Sequence, residues 1–125
     1  EAEVFLRHAD DLLARATVMR DAGLPADAAR GAYLACFHAS QALIFEREGV
    51  VAKTHGGVQS AFHRLTERAP GFDPSLRAFL RVAHRFKGIA DYFADPDPTV
   101  APEEASEAIA TAARFVAHLR STLTS

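Results

Sequence analysis

The sequence predicts an all-α protein, an up-and-down bundle of four long helices and one shorter helix in a single domain over residues 1–125. Apolar residues recur at the three- and four-residue spacing of a helix, and no useful length of chain alternates with the period of a strand. Proline and glycine divide this pattern into five segments. With 49% hydrophobic residues among 125, the chain can bury one core without a disulfide or a metal ion.

The first two predicted helices have clear ends. Helix one spans roughly residues 2–22 and stops at Gly23, a residue that readily adopts the left-handed conformation closing a helix. Helix two opens at Pro25 and runs to the residue before Gly49. Its inward face is rich in small residues, through which another helix can approach closely, so we expect it to be the central helix. Cys36 lies on this apolar face and is expected to be a core thiol.

Three further helices follow along the chain. Thr54 is a candidate N-cap for a third helix over about residues 55–68, although the glycine pair in its first turn lowers the helix propensity. Pro74, preceded by an aspartate, is typical of a helix start and predicts a fourth helix that reaches about Tyr92. Pro102, followed by two glutamates, starts the fifth helix.

Composition excludes several classes of protein and of site. No apolar run approaches the roughly 20 residues that span a bilayer, and the N-terminal segment is charged, so we expect a soluble, cytoplasmic protein without membrane association. The single cysteine cannot form an internal disulfide, and with scattered histidines it cannot assemble a structural zinc site. No serine lies in a turn typical of a hydrolase nucleophile, and no glycine-rich phosphate loop is present. We therefore expect neither a metal nor a cofactor.

Charge is distributed unevenly along the chain. Residues 53–87 contain seven basic and two acidic residues, a net charge of +5, whereas both flanking segments are acidic. Three histidines lie in the same basic segment. This composition suits a polyanion such as RNA or a nucleotide phosphate. The alternative is a solvated helix face, where most charge runs lie.

The start of the third helix is a candidate anion site. Lys53, Thr54 and His55 precede a glycine pair, and the free backbone N–H groups of a helix N-terminus attract anions. The alternative is that Thr54 only caps the helix while its two neighbours are solvated. His38, at the edge of the apolar face of helix two, is a further candidate for ligand binding, with a satisfied interhelical hydrogen bond as the alternative.

The end of the fourth helix brings cations, an imidazole, a carboxylate and a phenol into one neighbourhood. They are His84, Lys87 and Asp91 on one helix face and Arg81, Arg85 and Tyr92 on the adjacent face. Such a group can bind a phosphate and polarise a ribose hydroxyl. The alternative is an ordinary i, i+4 ion pair between Lys87 and Asp91.

Three separated motifs resemble those of the small stand-alone HEPN-domain proteins. They are A-Y-L-A-C-F-H-A-S-Q-A-L at residues 32–43, K-T-H-G-G-V at residues 53–58 and A-D-Y at residues 90–92. The resemblance implies a helical bundle that pairs into a homodimer, in a superfamily rich in metal-independent endoribonucleases and RNA-binding proteins. It also implies a toxin-like role beside a minimal nucleotidyltransferase antitoxin, an enzyme that in such pairs adenylylates a tyrosine near the active site.

The chain departs from this pattern at the end of the fourth helix. Active ribonucleases of the superfamily carry there an arginine followed after four to six residues by a histidine, whereas this sequence runs K-G-I-A-D-Y over residues 87–92. In the branch that the chain resembles, an arginine stands four residues before the aspartate of A-D-Y. Lys87 replaces it here unless Arg85 takes the same place, and lysine is the poorer bidentate clamp for a phosphate.

Two hypotheses for function follow. In the first, the protein is an RNA- or nucleotide-binding module and the toxin-like partner of a nucleotidyltransferase. Its candidate binding residues are Lys53, Thr54, His55, Arg81, Tyr92 and His38. In the second, it is a metal-independent endoribonuclease acting at a dimer cleft, where Lys87 or Arg85 steadies the scissile phosphate. His84 or Asp91 would then be the general base that activates the 2′-hydroxyl. The missing arginine–histidine motif favours the first hypothesis.

Overall fold

Six α-helices form the described part of the chain, residues 1–69, 71–89 and 100–124 of a computed structural model, and no strand occurs there. They are α1 (Ala2–Asp21), α2 (Pro25–Glu48), α3 (His55–Thr66), α4 (Pro74–Ala83), α5 (Arg85–Ile89) and α6 (Pro102–Thr124). The predicted all-α class is confirmed. The five predicted helix starts coincide with the first residues of α1, α2, α3, α4 and α6.

The helix α2 lies at the centre of the bundle and contacts each of the other five helices. Its small residues permit this, since a Cβ added at Gly31 would lie 3.3 Å from the Cβ of Ala16 on α1. Cys36 is fully buried on the same helix, and burial raises the pKa of its thiol well above the usual range. Both expectations, a central second helix and a core cysteine, are therefore confirmed.

The predicted fourth helix is interrupted, which corrects the expectation of one helix from Pro74 to about Tyr92. Helix α4 ends at Ala83, and α5 begins one residue later, at Arg85. At the junction the backbone N–H of His84 donates to the carbonyl of residue 81 at 3.3 Å, and the His84 carbonyl accepts from the N–H of residue 87 at 3.1 Å. These i to i−3 hydrogen bonds replace the α-helical ladder for one turn. Residues 90–99, including the predicted end of this helix, lie outside the described residues.

An aromatic cluster joins α3, α6 and the loop that precedes α4. The ring of Phe62 lies 5.3 Å from that of Phe115 and 5.6 Å from that of Phe72, measured between centroids. A second link ties α3 directly to α4, because the Gln59 side-chain amide donates to the Leu80 carbonyl at 2.8 Å. Helix α3 also ends earlier than predicted, at position 66 instead of about position 68. Together the ring contacts and the hydrogen bond hold α3 against α4 and α6.

Ion pairs tie the outer faces of the bundle together. Arg120 on α6 pairs with Asp10 on α1 at 2.8 Å, and Arg64 on α3 pairs with Glu48 at the end of α2. Within the three described ranges, no helix is both long enough and apolar enough to cross a membrane.

Candidate functional site

The local sequence fixes His55 as the first residue of α3. Thr54 caps the helix, since its side-chain oxygen accepts a hydrogen bond from the Gly57 backbone N–H at 2.9 Å. A Cβ at Gly57 would lie 2.8 Å from that oxygen, so glycine is needed for this cap. The predicted cap at Thr54 is confirmed. Its neighbour Lys53 is exposed, but His55 is partly buried and hydrogen-bonded.

The partner of His55 is Tyr33 on α2, whose hydroxyl lies 2.7 Å from the His55 Nδ1 atom. Tyr33 is fully buried, and burial raises its pKa to about 12, partly offset by a hydrogen bond from Gln59. The phenol therefore keeps its proton at neutral pH. We assign the hydroxyl proton of Tyr33 to the bond with Nδ1, which leaves the proton of neutral His55 on Nε2.

Two further rings enclose this pair. The ring of His84, at the junction of α4 and α5, lies 5.4 Å from the rings of both Tyr33 and His55, measured between centroids. Phe37, one helical turn after Tyr33 on α2, lies 4.6 Å from the His55 ring. Lys87 follows His84 by one turn on α5 and is partly buried. We call these five residues the Tyr33 site.

The electrostatic surroundings of the Tyr33 site are positive. The pKa of His55 is lowered, first by burial and then by the charges of Lys87, His84, Arg30 and His38. Every charged group that contributes to this shift is a cation or an imidazole. A carboxylate would act in the opposite direction, and none contributes within the described residues. An anion bound here would therefore relieve repulsion among these groups.

His38 makes a different contact from the one expected. Its Nδ1 atom lies 2.7 Å from the side-chain oxygen of Gln41, one turn further along the same helix. The expected alternative was a hydrogen bond to a group on another helix. Gln41 in turn donates to the Ala52 carbonyl at 2.7 Å. This relay ties α2 to the loop that leads into α3. The ring of His8 on α1 packs edge-on against His38 at 5.6 Å.

The structure brings together only some of the residues singled out in the sequence. His55, His84 and Lys87 meet at the Tyr33 site, whereas Arg81 lines a neighbouring pocket that includes His84. Arg85 points to another face, where it pairs with Glu104 on α6 and its guanidinium lies 4.3 Å from the ring centroid of the adjacent phenylalanine. Asp91 and Tyr92 lie outside the described residues.

Sequence reasoning did not single out Tyr33 and Phe37 as residues of the site. The missed signal is the phenol itself, because a buried tyrosine hydroxyl requires a hydrogen-bonding partner. Three polar residues of α3 were also missed. Gln59, Ser60 and His63 follow each other at positions i, i+1 and i+4, a spacing that directs them to one side of the helix.

The fold and the site together define a class of protein, a helical bundle built around a central helix rich in small residues. Imidazoles and a lysine gather where the fourth and fifth helices of this bundle meet. The sequence matches the HEPN domain over residues 2–121, nearly its whole length, and the chain belongs to the HEPN domain family. A comparison with curated proteins found no match.

The histidines make stability depend on pH. The pKa values of His38, His55 and His63 are all lowered, in each case chiefly by burial. The unfolded chain therefore binds protons more readily, so the free energy of unfolding falls as the pH drops through about 6.5.

Urea unfolding at about pH 7.5 and about pH 5.5 measures this change. Both pH values lie above the range in which most carboxylates titrate. We expect lower stability at the lower pH and a smaller decrease in His55→Asn. Equal or greater stability at the lower pH would contradict the assignment.

Proposed function

We propose that this HEPN-domain protein binds phosphate groups of a nucleotide or of an RNA strand at the Tyr33 site, without cleaving them. The observation that carries the proposal is the convergence of the His55 and His84 rings, whose centroids lie 5.4 Å apart, beside the partly buried Lys87 in a positive environment. Lys87, His84 and Arg30 act on this imidazole in the same direction, and no carboxylate among the described residues opposes them. Clustered positive groups without a nearby carboxylate attract a phosphate at close range.

The chemistry of the individual side chains suits a nucleotide. The Nε2–H of neutral His55 is a donor for a phosphate oxygen, and Lys87 supplies a compact positive charge. Tyr33 is held by burial and by its hydrogen bond, so it orients His55 and does not meet the ligand. The exposed ring of His84 offers a face on which an unpaired base can stack. A phosphate contact next to a stacking surface is the usual combination for single-stranded RNA.

Fluorescence anisotropy with a labelled single-stranded RNA, in EDTA and at low salt, tests this function. We expect saturable binding, competition by AMP, and recovery of intact RNA after prolonged incubation. His55→Ala should weaken binding by about tenfold, the effect of losing one hydrogen bond to a charged group. The matched control is His118→Ala on α6, whose ring packs against Phe72 in the loop before α4, and it should bind normally. Failure of both RNA and AMP to bind would refute the proposal.

A second candidate function is metal-independent RNA cleavage, and one observation favours it. The imidazoles of His55 and His84 lie 5.4 Å apart beside Lys87, and a neutral imidazole can act as a general base toward a ribose 2′-hydroxyl. Lys87 would then steady the phosphate. Cleavage products in the same EDTA incubation, lost in Lys87→Ala, would replace the binding function with this one.

The proposed biological setting is a toxin-like role in a homodimer beside a minimal nucleotidyltransferase. It is supported by the family resemblance of the three motifs. The chain contains two tyrosines, and Tyr33 is fully buried, so a transferred adenylyl group is expected on Tyr92. Co-expression with a nucleotidyltransferase encoded by a neighbouring gene should add the mass of one adenylyl group (AMP less one water), and Tyr92→Phe should abolish this addition. An unmodified protein would count against the partnership, and light scattering would test the dimer.

A further inference from the structure

A second polar pocket lies between α3 and α4, beside the Tyr33 site. Its volume is about 370 Å³, and its lining residues are Gln59, Ser60, His63, Arg81 and His84. Each of these side chains carries a hydrogen-bond donor, and none is a carboxylate. His84 lies between the two sites and lines both, whereas Ser60, His63 and Arg81 belong to this pocket alone. We call it the α3–α4 pocket.

The walls of the α3–α4 pocket are fixed by hydrogen bonds between the two helices. Gln59 is anchored through its amide to the Leu80 carbonyl at 2.8 Å. Arg77 donates from α4 to the Thr66 side chain at 2.8 Å and to the His63 carbonyl at 3.1 Å. These bonds hold the α3 backbone at a set distance from Arg81, one turn further along α4. The pocket is therefore built before any ligand arrives.

Its polar groups are incompletely satisfied. The Nε2 atom of His63 is buried and has no hydrogen-bond partner among the described residues. Arg81 is exposed, and none of the ion pairs between described residues involves it. The pKa of His63 is lowered by burial and then by the charges of Arg81 and Arg77, so these three groups repel one another when His63 is protonated. A small anion in the pocket would supply the missing negative charge.

We infer that the α3–α4 pocket binds a phosphate monoester, the terminal phosphate of a nucleotide or of a nucleic-acid strand, as a site separate from the Tyr33 site. The planar guanidinium of Arg81 matches two oxygens of one phosphate. The Ser60 hydroxyl and the imidazole of His63 are donors for the remaining oxygens. A terminal phosphate fits this description better than an internal one, because it offers three oxygens and up to two negative charges.

Titration of ¹⁵N-labelled protein with inorganic phosphate tests the pocket directly. We expect saturable shifts at Ser60, His63 and Arg81, and at least a tenfold weaker affinity in Arg81→Gln, since Arg81 forms the charged hydrogen bonds. The matched control is Arg68→Gln, which removes the same charge from an exposed position after α3 and should change the affinity less than twofold. Ser60→Ala provides a second variant in case Arg81→Gln is poorly folded. Shifts that do not saturate, or equal affinity in Arg81→Gln and the parent protein, would overturn the inference.

Two ligand pairs distinguish the sources of the phosphate. AMP is compared with adenosine, and a 5′-phosphorylated oligoribonucleotide with its 5′-hydroxyl form. We expect a terminal phosphate to improve the affinity of at least one pair about tenfold, with the gain lost in Arg81→Gln and retained in the control Arg68→Gln. No gain for either pair would refute the ligand class. Because inorganic phosphate is tested alone, the pocket can be confirmed even if RNA and AMP do not bind at the Tyr33 site.

Discussion

Replacing Lys87 with glutamate is expected to weaken binding of single-stranded RNA and AMP by at least about a hundredfold at low salt. Lys87 is partly buried on α5, and its charge is the largest contribution to the pKa of His55 after burial. The substitution changes the charge at the site by two and places a carboxylate where a phosphate is proposed to lie. Isothermal titration calorimetry with AMP, supported by anisotropy with RNA, measures the loss.

The control for this result is Arg68→Glu, the same charge change at an exposed position. It should reduce RNA affinity only slightly, and AMP affinity not at all, because an exposed charge acts through bulk water, whose high dielectric constant weakens long-range interactions. Lys87→Arg should retain most of the binding. Equal losses in Lys87→Glu and Arg68→Glu would show that only the overall charge matters, which contradicts a defined Tyr33 site. Thermal melting establishes that each variant is folded.

Replacing Phe62 with alanine is expected to lower the free energy of unfolding by about 3–5 kcal/mol. Phe62 is fully buried, and its ring contacts those of Phe72 and Phe115, so the substitution leaves a cavity where α3 meets α6. A domain of this size has a total stability of about 5–15 kcal/mol, so a large share would be lost. Urea unfolding at constant m-value measures the change.

The comparison for this prediction is Phe79→Ala. Phe79 is only partly buried, at the surface between α4 and α6, so less apolar area is removed from contact with the protein. We expect a decrease of about half that of Phe62→Ala or less. A Phe62→Ala variant as stable as Phe79→Ala would contradict the position of Phe62 at the centre of the core.

The helix starts are predictable from the sequence because they depend on neighbouring residues. Pro25 provides the first turn of α2, and Gly49 ends it with a φ of 70°, a conformation that favours glycine. Thr54 similarly caps α3 through its own side chain. The interruption at His84 is not signalled locally, since no proline or glycine lies there. It becomes visible only from the hydrogen-bond pattern of the folded chain.

The candidate site is less predictable because it depends on how separate helices pack. Tyr33 and His55 are 22 positions apart, and their hydrogen bond follows from the placement of α3 against α2. Helical spacing groups Arg85 with the cations of its own segment, but after the turn at His84 it faces α6 and pairs with Glu104. The sequence thus identifies a basic region, but which of its side chains converge depends on how the helices pack.

The central claim is that the imidazoles and Lys87 of the Tyr33 site together receive a phosphate. NMR titration of the His55 ring nitrogens over the pH range of about 5 to 8, with and without saturating AMP, tests it most directly. A bound anion stabilises the imidazolium, so the pKa of His55 should rise from its lowered value when AMP is present. The same pKa in both conditions, with no saturable movement of the His55 or His84 signals, would contradict the claim.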